Sequence, residues 1–330
     1  MNTRVTIGAL TTALGLSLSA VAANAAELKL SHQWSTSDVR HKVAQIVADE
    51  VAAADVGLEI KIYPSKSLFK PKEQYNPLSR GRLDMTVFPL AYAAGQRPEY
   101  NLTLMPGLVK NHDHGARLAE SPFMGEIEKL LNSDDVMTLV PGYLAGGFGA
   151  KGKCVTNPDD VKGLQMRAAG KSFEQMVAAA GASITSMPSS ELYSAMQTGV
   201  LDGANTSSSS FVSYRLYEQL TCYTPASEVA LWFMYQPLLM NKSTFDGLTE
   251  GQQKAIMDGA AKATAFYLEE AKSADAAAAK TFADAGVEIA NMSLEDFQAW
   301  REIAKGSSYK TFVESTPDGQ RLLDMALEVE

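Results

Sequence analysis

Cysteine is nearly absent from this chain: Cys154 and Cys222 are the only two in 330 residues. Two thiols cannot by themselves complete a zinc or iron–sulfur site. Histidine is scarce too, and the one close pair, His112 and His114, has no third ligand nearby. These are read as solvated loop side chains, so no metal and no cofactor are expected. Basic clusters are missing. Lys and Arg number 29 against 38 Asp and Glu, a formal net charge of −9, which disfavours nucleic acid and anionic lipid as partners. Catalytic signatures are missing as well: Gly-x-Ser-x-Gly, Gly-x-x-x-x-Gly-Lys-Ser/Thr and His-Glu-x-x-His do not occur. Ser67-Leu68-Phe69-Lys70 fits the S-x-x-K of serine acyl-enzymes but lacks the accompanying Lys-Thr-Gly. No catalytic residue is assigned, and the chain is not expected to be an enzyme.

Long apolar runs are confined to the start. Arg4 is followed by the uncharged stretch from Val5 to Ala22 and then by Ala23-Asn24-Ala25, a small-x-small cleavage pattern. Residues 1–25 are therefore expected to be a signal peptide, with a membrane anchor as the alternative. The remainder is expected to be exported and soluble. An oxidising compartment favours a Cys154–Cys222 disulfide over two buried free thiols.

What the chain does contain is an echo of itself. Gly57, Ile60, Pro64, Ser65 and Leu68 recur at one constant offset as Gly181, Ile184, Pro188, Ser189 and Leu192. Each copy then runs into a second match, Gly81-Arg82-Leu83-Asp84 and Gly199-Val200-Leu201-Asp202. In both, a strand is followed by a helix, a glycine stop and another strand. Leu58, Ile60 and Ile62 alternate with Glu59, Lys61 and Tyr63, the period of a half-buried strand. Leu28 to His32, Leu83 to Phe88, Leu164 to Arg167, Ser183 to Met187 and Val200 to Ala204 are the other expected strands, and Ser189 is expected to cap the helix running to Thr198. The expected fold is α/β, two lobes with mainly parallel sheets facing a cleft. From Glu250 to about Ala285 the chain is alanine-rich and free of proline, a helix of roughly 50 Å that would brace both lobes.

In open α/β sheets ligands sit beyond the carboxyl ends of the strands. That rule places His32, Gln33, Tyr92, Arg167, Thr206 and Ser207 on the cleft wall. Arg167 is followed by Ala168-Ala169-Gly170, which leave room for a ligand to reach its fork. A guanidinium matches a carboxylate or sulfonate through two parallel charged hydrogen bonds; a structural salt bridge is the plain alternative. Hydroxyls and amides in Asn205-Thr206-Ser207-Ser208-Ser209-Ser210 are suited to an anion or a solvated turn. Phe148 and Trp232, with Phe233 and Tyr235, are candidates for a lid or for core. Ser189 completes the expected ligand contacts.

Two segments resemble a known family. Asp159-Asp160-Val161-Lys162-Gly163-Leu164-Gln165-Met166-Arg167 is similar to the D-x-K-G-x-K-x-R strand of TRAP (tripartite ATP-independent periplasmic) transporter solute-binding proteins. Ser190-Glu191-Leu192-Tyr193-Ser194-Ala195-Met196-Gln197-Thr198-Gly199-Val200-Leu201-Asp202-Gly203 resembles their S-E-x-Y-x-A-L-Q-T-G-x-x-D-G segment. The resemblance implies a periplasmic binding protein with hinge strands and a long helix spanning both lobes. It implies lobes of 26–145 with about 233–272 and of about 146–232 with 273–330, and it puts both cysteines beside the hinge strands. It further implies that Arg167 holds an organic acid for delivery to integral membrane permease subunits. The position often held by Asn in the family falls on Thr206, a second arginine of sialic-acid-binding members falls near Gly147, and their acidic residue falls near Pro89. Those departures imply a smaller, less polar acid. A receptor for an ATP-driven importer and a periplasmic enzyme using the same cleft are the other readings.

Overall fold

The computed structural model describes residues 26–329, so the signal peptide expected at 1–25 lies outside the described residues. The first half begins with three strands, β1 (Ala26–Ser31), β2 (Leu58–Tyr63) and β3 (Met85–Val87), with β1 parallel to both others. The chain continues through β4 (Val136–Val140) and β5 (Tyr143–Ala150) into a second set, β6 (Gln165–Arg167), β7 (Ser183–Ile184) and β8 (Gly203–Ser207), with β6 parallel to both others. The orders β2-β1-β3 and β7-β6-β8 are one topology used twice.

The echo in the sequence is a structural repeat down to single atoms. The Asp84 carboxylate accepts the Lys29 N–H at 2.7 Å, and the Asp202 carboxylate accepts the Gln165 N–H at 2.8 Å. Each aspartate thus ties the third strand of its set to the first. Leu83 and Leu201, one residue earlier, are both fully buried. Gly81 and Gly199 adopt φ +64 and +76 after the preceding short helices, a left-handed turn in which a Cβ would be strained.

The sheets are mixed, which corrects the expectation of mainly parallel ones. The later strands are β9 (Cys222–Thr224), β10 (Trp232–Tyr235), β11 (Leu238–Asn241) and β12 (Glu288–Ile289). In one sheet β11 lies antiparallel to β3 and β4; in the other β5 lies antiparallel to β8, β9 and β10. The cause is the way the chain crosses. It leaves one sheet at Pro141-Gly142 and re-enters it at Gln236-Pro237, so each crossing strand arrives from the far end and runs against its neighbours. The two crossings are tied by the Gln236 N–H donating to the Gly142 carbonyl at 2.8 Å. The helix Glu250–Asp284 makes a further connection. Near its start Gly259 lets it approach Val47 of the helix Val39–Ala53, and near its end Phe282 packs with Phe211 and Tyr223 in a separate core of the second lobe. The result is a two-lobed α/β molecule with one long helix bridging its parts. No helix among the described residues is long and apolar enough to cross a membrane.

Some expected elements are shifted. The strand expected at Val200 to Ala204 starts at Gly203 and runs on through Ser207, so Thr206 is a strand residue. Pro188 rather than Ser189 occupies the cap before the short helical turn Ser189–Glu191. Cys154 lies beyond the end of β5 and is joined to Cys222 by a disulfide. The bond links positions 68 apart in sequence and so restricts the unfolded chain. Replacing both cysteines by serine should cost about 2–5 kcal/mol of stability, read from urea denaturation of the oxidised protein and the variant. An unchanged midpoint would show that the bond is dispensable.

Candidate functional site

A narrow space lies where the ends of β6 and β8 face the turn after β1. Seven of the nine expected ligand contacts line it: Gln33, Tyr92, Arg167, Ser189, Thr206, Ser207 and Trp232. Thr206 and Ser207 are held there by pairing with Gly147 and Gly146 of β5.

Arg167 ends β6 and is 1% exposed. Its Nε donates to the Met187 carbonyl at 2.9 Å, Nη1 to the Asn205 carbonyl at 2.7 Å, and Nη2 to the Tyr92 hydroxyl at 2.8 Å. These bonds fix the plane of the fork yet leave one N–H on each terminal nitrogen without a protein acceptor. No carboxylate among the described residues pairs with it. The structural salt bridge that was the alternative for this residue is not the arrangement found.

The second buried guanidinium in the same space is Arg40, also 1% exposed, and its surroundings are the opposite. Nε and Nη2 clasp the two oxygens of Asp38 at 2.6 and 2.7 Å. The remaining N–H groups reach Ser207 and Ser210 hydroxyls at 3.2 and 2.9 Å and the Gln236 side-chain carbonyl at 2.8 Å. Trp34 covers the guanidinium face at 4.1 Å. Asp38 also caps the helix Val39–Ala53 and accepts from Ser213 at 2.7 Å. Burial pushes the Asp38 carboxyl up, but the Arg40 charge and its hydrogen bonds outweigh burial and hold it below the usual carboxylate range. This cluster joins the start of one lobe to three serines of the other.

Several buried polar atoms at the space have no partner: Gln33 Oε1, Gln236 Nε2 and Trp232 Nε1. A buried polar atom left unpaired costs about 1–3 kcal/mol. Gln236 Nε2 and Trp232 Nε1 join the open fork of Arg167 as donors without acceptors, and Gln33 Oε1 is an acceptor without a donor.

Two expected contacts lie elsewhere. The His32 ring turns away: Nδ1 accepts the Trp34 N–H at 3.3 Å, which leaves the proton on Nε2 to donate to His41 Nδ1 at 3.1 Å. Burial, reinforced by His41, pushes His32 down to about 3. Phe148 stacks on Trp300 at 5.4 Å because alternation along β5 directs it to the far side. Of the other aromatics, Phe233 packs on His112 and Tyr235 on Tyr143. His112 and His114 are not solvated as expected. His112 bonds Asp275 at 2.7 Å and His114 bonds the Val329 carbonyl at 2.9 Å, each occupied separately.

Arg40 and Gln236 were not among the expected contacts. Arg40 follows a helix cap, where a charged residue ordinarily faces water. Gln236 did carry a signal, being the one amide in the otherwise apolar run from Ala230 to Met240.

The buried neutral imidazole makes stability depend on pH. Its folded value lies below the ordinary value of about 6.5, so the unfolded chain takes up a proton that the folded chain refuses. The contribution is complete above about pH 6.5 and is lost as pH falls from there towards 3, at a slope of up to about 1.4 kcal/mol per pH unit. Melting temperatures of the wild type and His32→Asn between pH 7 and 4 should converge on acidification; parallel curves would exclude His32 as the source.

Residues 30–315 match the model of the bacterial extracellular solute-binding protein family 7. A solute-binding protein of Albidiferax ferrireducens is 34% identical over 310 residues, covering 92% of each chain. The C4-dicarboxylate-binding periplasmic protein DctP of Rhodobacter capsulatus is 28% identical over 314 residues, again covering 92% of each. Among solved structures, a TRAP periplasmic solute-binding protein from Rhodoferax ferrireducens with bound malonate superposes with a TM-score of 0.88 at 34% identity, covering 92% of this chain and 98% of that one.

Proposed function

The chain belongs to the DctP-like periplasmic solute-binding proteins of TRAP transporters, and we propose on that premise that Arg167 is the group that captures its organic acid. Members of this family are receptors rather than enzymes, and they pass small organic acids to a membrane permease. The observation that carries the reading for this chain is the contrast between its two buried guanidiniums. Arg40 already has its carboxylate, whereas Arg167 has only neutral acceptors and an open edge. A buried charge without a counter-ion costs several kcal/mol, and a bound carboxylate removes that cost. Gln236 and Trp232 supply further donors for its oxygens. Malonate in the Rhodoferax ferrireducens protein and the C4-dicarboxylates in the name of the Rhodobacter capsulatus relative support a small carboxylate over a sulfonate.

Capture couples to closure. In this reading the lobes are 26–145 with about 233–272, and about 146–232 with 273–330, and they rotate about the paired crossings at Pro141-Gly142 and Gln236-Pro237. The Asp38–Arg40 cluster reaches Ser207, Ser210 and Ser213 only when the lobes meet. Those bonds favour the closed form without ligand, and the acid shifts the balance by its differential affinity for the closed shape. The closed form is then offered to the permease. Residues 1–25 act in the same reading as a cleaved export signal.

Calorimetry with malonate tests the anchor. Arg167→Ala should weaken binding by about 2–5 kcal/mol, as removal of one partner of a buried charged pair does, with Arg167→Lys retaining part of it. Malonate affinity left unchanged by Arg167→Ala would remove the residue from the site.

A further inference from the structure

Lys72 is an exposed lysine whose neighbours lead inward to Arg167. Its Nζ donates to the Ser186 hydroxyl at 3.0 Å and stands 5.8 Å from the centre of the Tyr92 ring, within reach of a cation–π contact. The Tyr92 hydroxyl accepts from Arg167 Nη2, and the Met187 carbonyl, one residue beyond Ser186, accepts from Arg167 Nε. Two short routes, one through a phenol and one through the backbone, thus connect a surface ammonium to the buried fork. Lys72 lies between β2 and β3, and Ser186 follows β7, so the bond joins the two copies of the repeat.

Exposure falls along this line. Lys72 and Ser186 are exposed, Tyr92 and Met187 are half-buried, and Arg167 is buried. An acid approaching the fork from this side meets the ammonium first. The chain as a whole repels an anion, its formal net charge being −9. Local positive charge must overcome that field if capture is to be fast. Glu73, the neighbouring acid, pairs with Lys70 at 3.4 Å, and no carboxylate among the described residues pairs with Lys72. An isolated surface contact of a lysine adds little to stability; what distinguishes this one is that it spans the repeats in front of an unneutralised arginine.

We infer that Lys72 is the entry group of the acid site. With the lobes parted its ammonium draws the acid toward Arg167, and with the lobes together it bonds Ser186 and holds the mouth shut. The inference rests on the proposed capture of an acid by Arg167 and adds the residue that sets how fast the acid arrives and leaves. A hydroxyl partner suits this exchange, because it holds the ammonium without neutralising it. Parting of the lobes breaks the Ser186 bond and turns the charge toward solvent. Attraction belongs to the charge of Lys72, and retention belongs to its bond with Ser186.

Stopped-flow mixing of the intact mature protein with malonate, followed by tryptophan fluorescence, tests this, since Trp232 lines the site. Lys72→Met should slow association at least about threefold near about 10 mM ionic strength and less than about 1.5-fold near about 1 M, where screening acts beyond about 3 Å. Lys72→Arg, which keeps the charge, should stay within about twofold of the wild type at both. Ser186→Ala should leave association within about 1.5-fold and raise the dissociation rate at least about twofold, as loss of one hydrogen bond does. A Lys72→Met association rate equal to the wild type at low salt, or a loss of the same size at both salt concentrations, overturns the entry role. An unchanged dissociation rate in Ser186→Ala overturns the latch. If Arg167→Ala still weakens malonate binding by calorimetry in those cases, the anchor stands and only the entry group falls. If the wild type does not bind malonate, both fall.

Discussion

Two guanidiniums are buried where the lobes meet, and one carboxylate is buried with them. That imbalance of charge governs the rest of the molecule. Asp38 neutralises Arg40 and, through the serines of the opposite lobe, turns the pair into a clasp. Arg167 is given orientation by two carbonyls and a phenol but no neutralisation. Carbonyl dipoles stabilise a cation without removing its net charge, so the site keeps a positive potential in a region from which water is largely excluded. One arginine is neutralised within the protein, and the other is left for an external anion in the function proposed above.

The duplicated half explains why that imbalance sits at the cleft. Each copy of the repeat fixes its first strand by the same aspartate-to-backbone bond, and in the second copy that strand ends in Arg167 at the space. Each sheet is then extended by a strand running the other way, and the change of sheet occurs at Pro141-Gly142 and Gln236-Pro237. Gln236 stands at one of these switches, bonded to Gly142 by its backbone and to Arg40 by its side chain. The crossings between the sheets and the site are therefore contiguous.

Much of this was legible in the residues. The glycine stops, the repeated Leu-Asp pairs, the long alanine-rich helix and Arg167 at a strand end all follow from local rules, because backbone conformation and periodicity are local properties. Direction was harder. Nothing near Arg40 says that the first turn of its helix faces another lobe, since the serines that meet it lie more than 160 positions away. His32 was placed by its strand end, yet its own neighbours Trp34 and His41 capture both ring nitrogens. Phe148, a candidate for a lid or for core, belongs to the core, where it stacks on Trp300. The parallel sheets expected from alternating strands and helices failed where strands cross between lobes, a feature without a local signature.

Sharing of strands has a consequence for how the chain is made. The first sheet cannot be completed until Leu238–Asn241 has been synthesised, because β11 lies between β3 and β4. The helix Val39–Ala53 likewise waits for its cover, the helix that begins at Glu250. Neither half is a closed folding unit, and a chain ending before Leu238 would lack the strand that joins β3 to β4. Such a polypeptide cannot close its first sheet until most of it has been made.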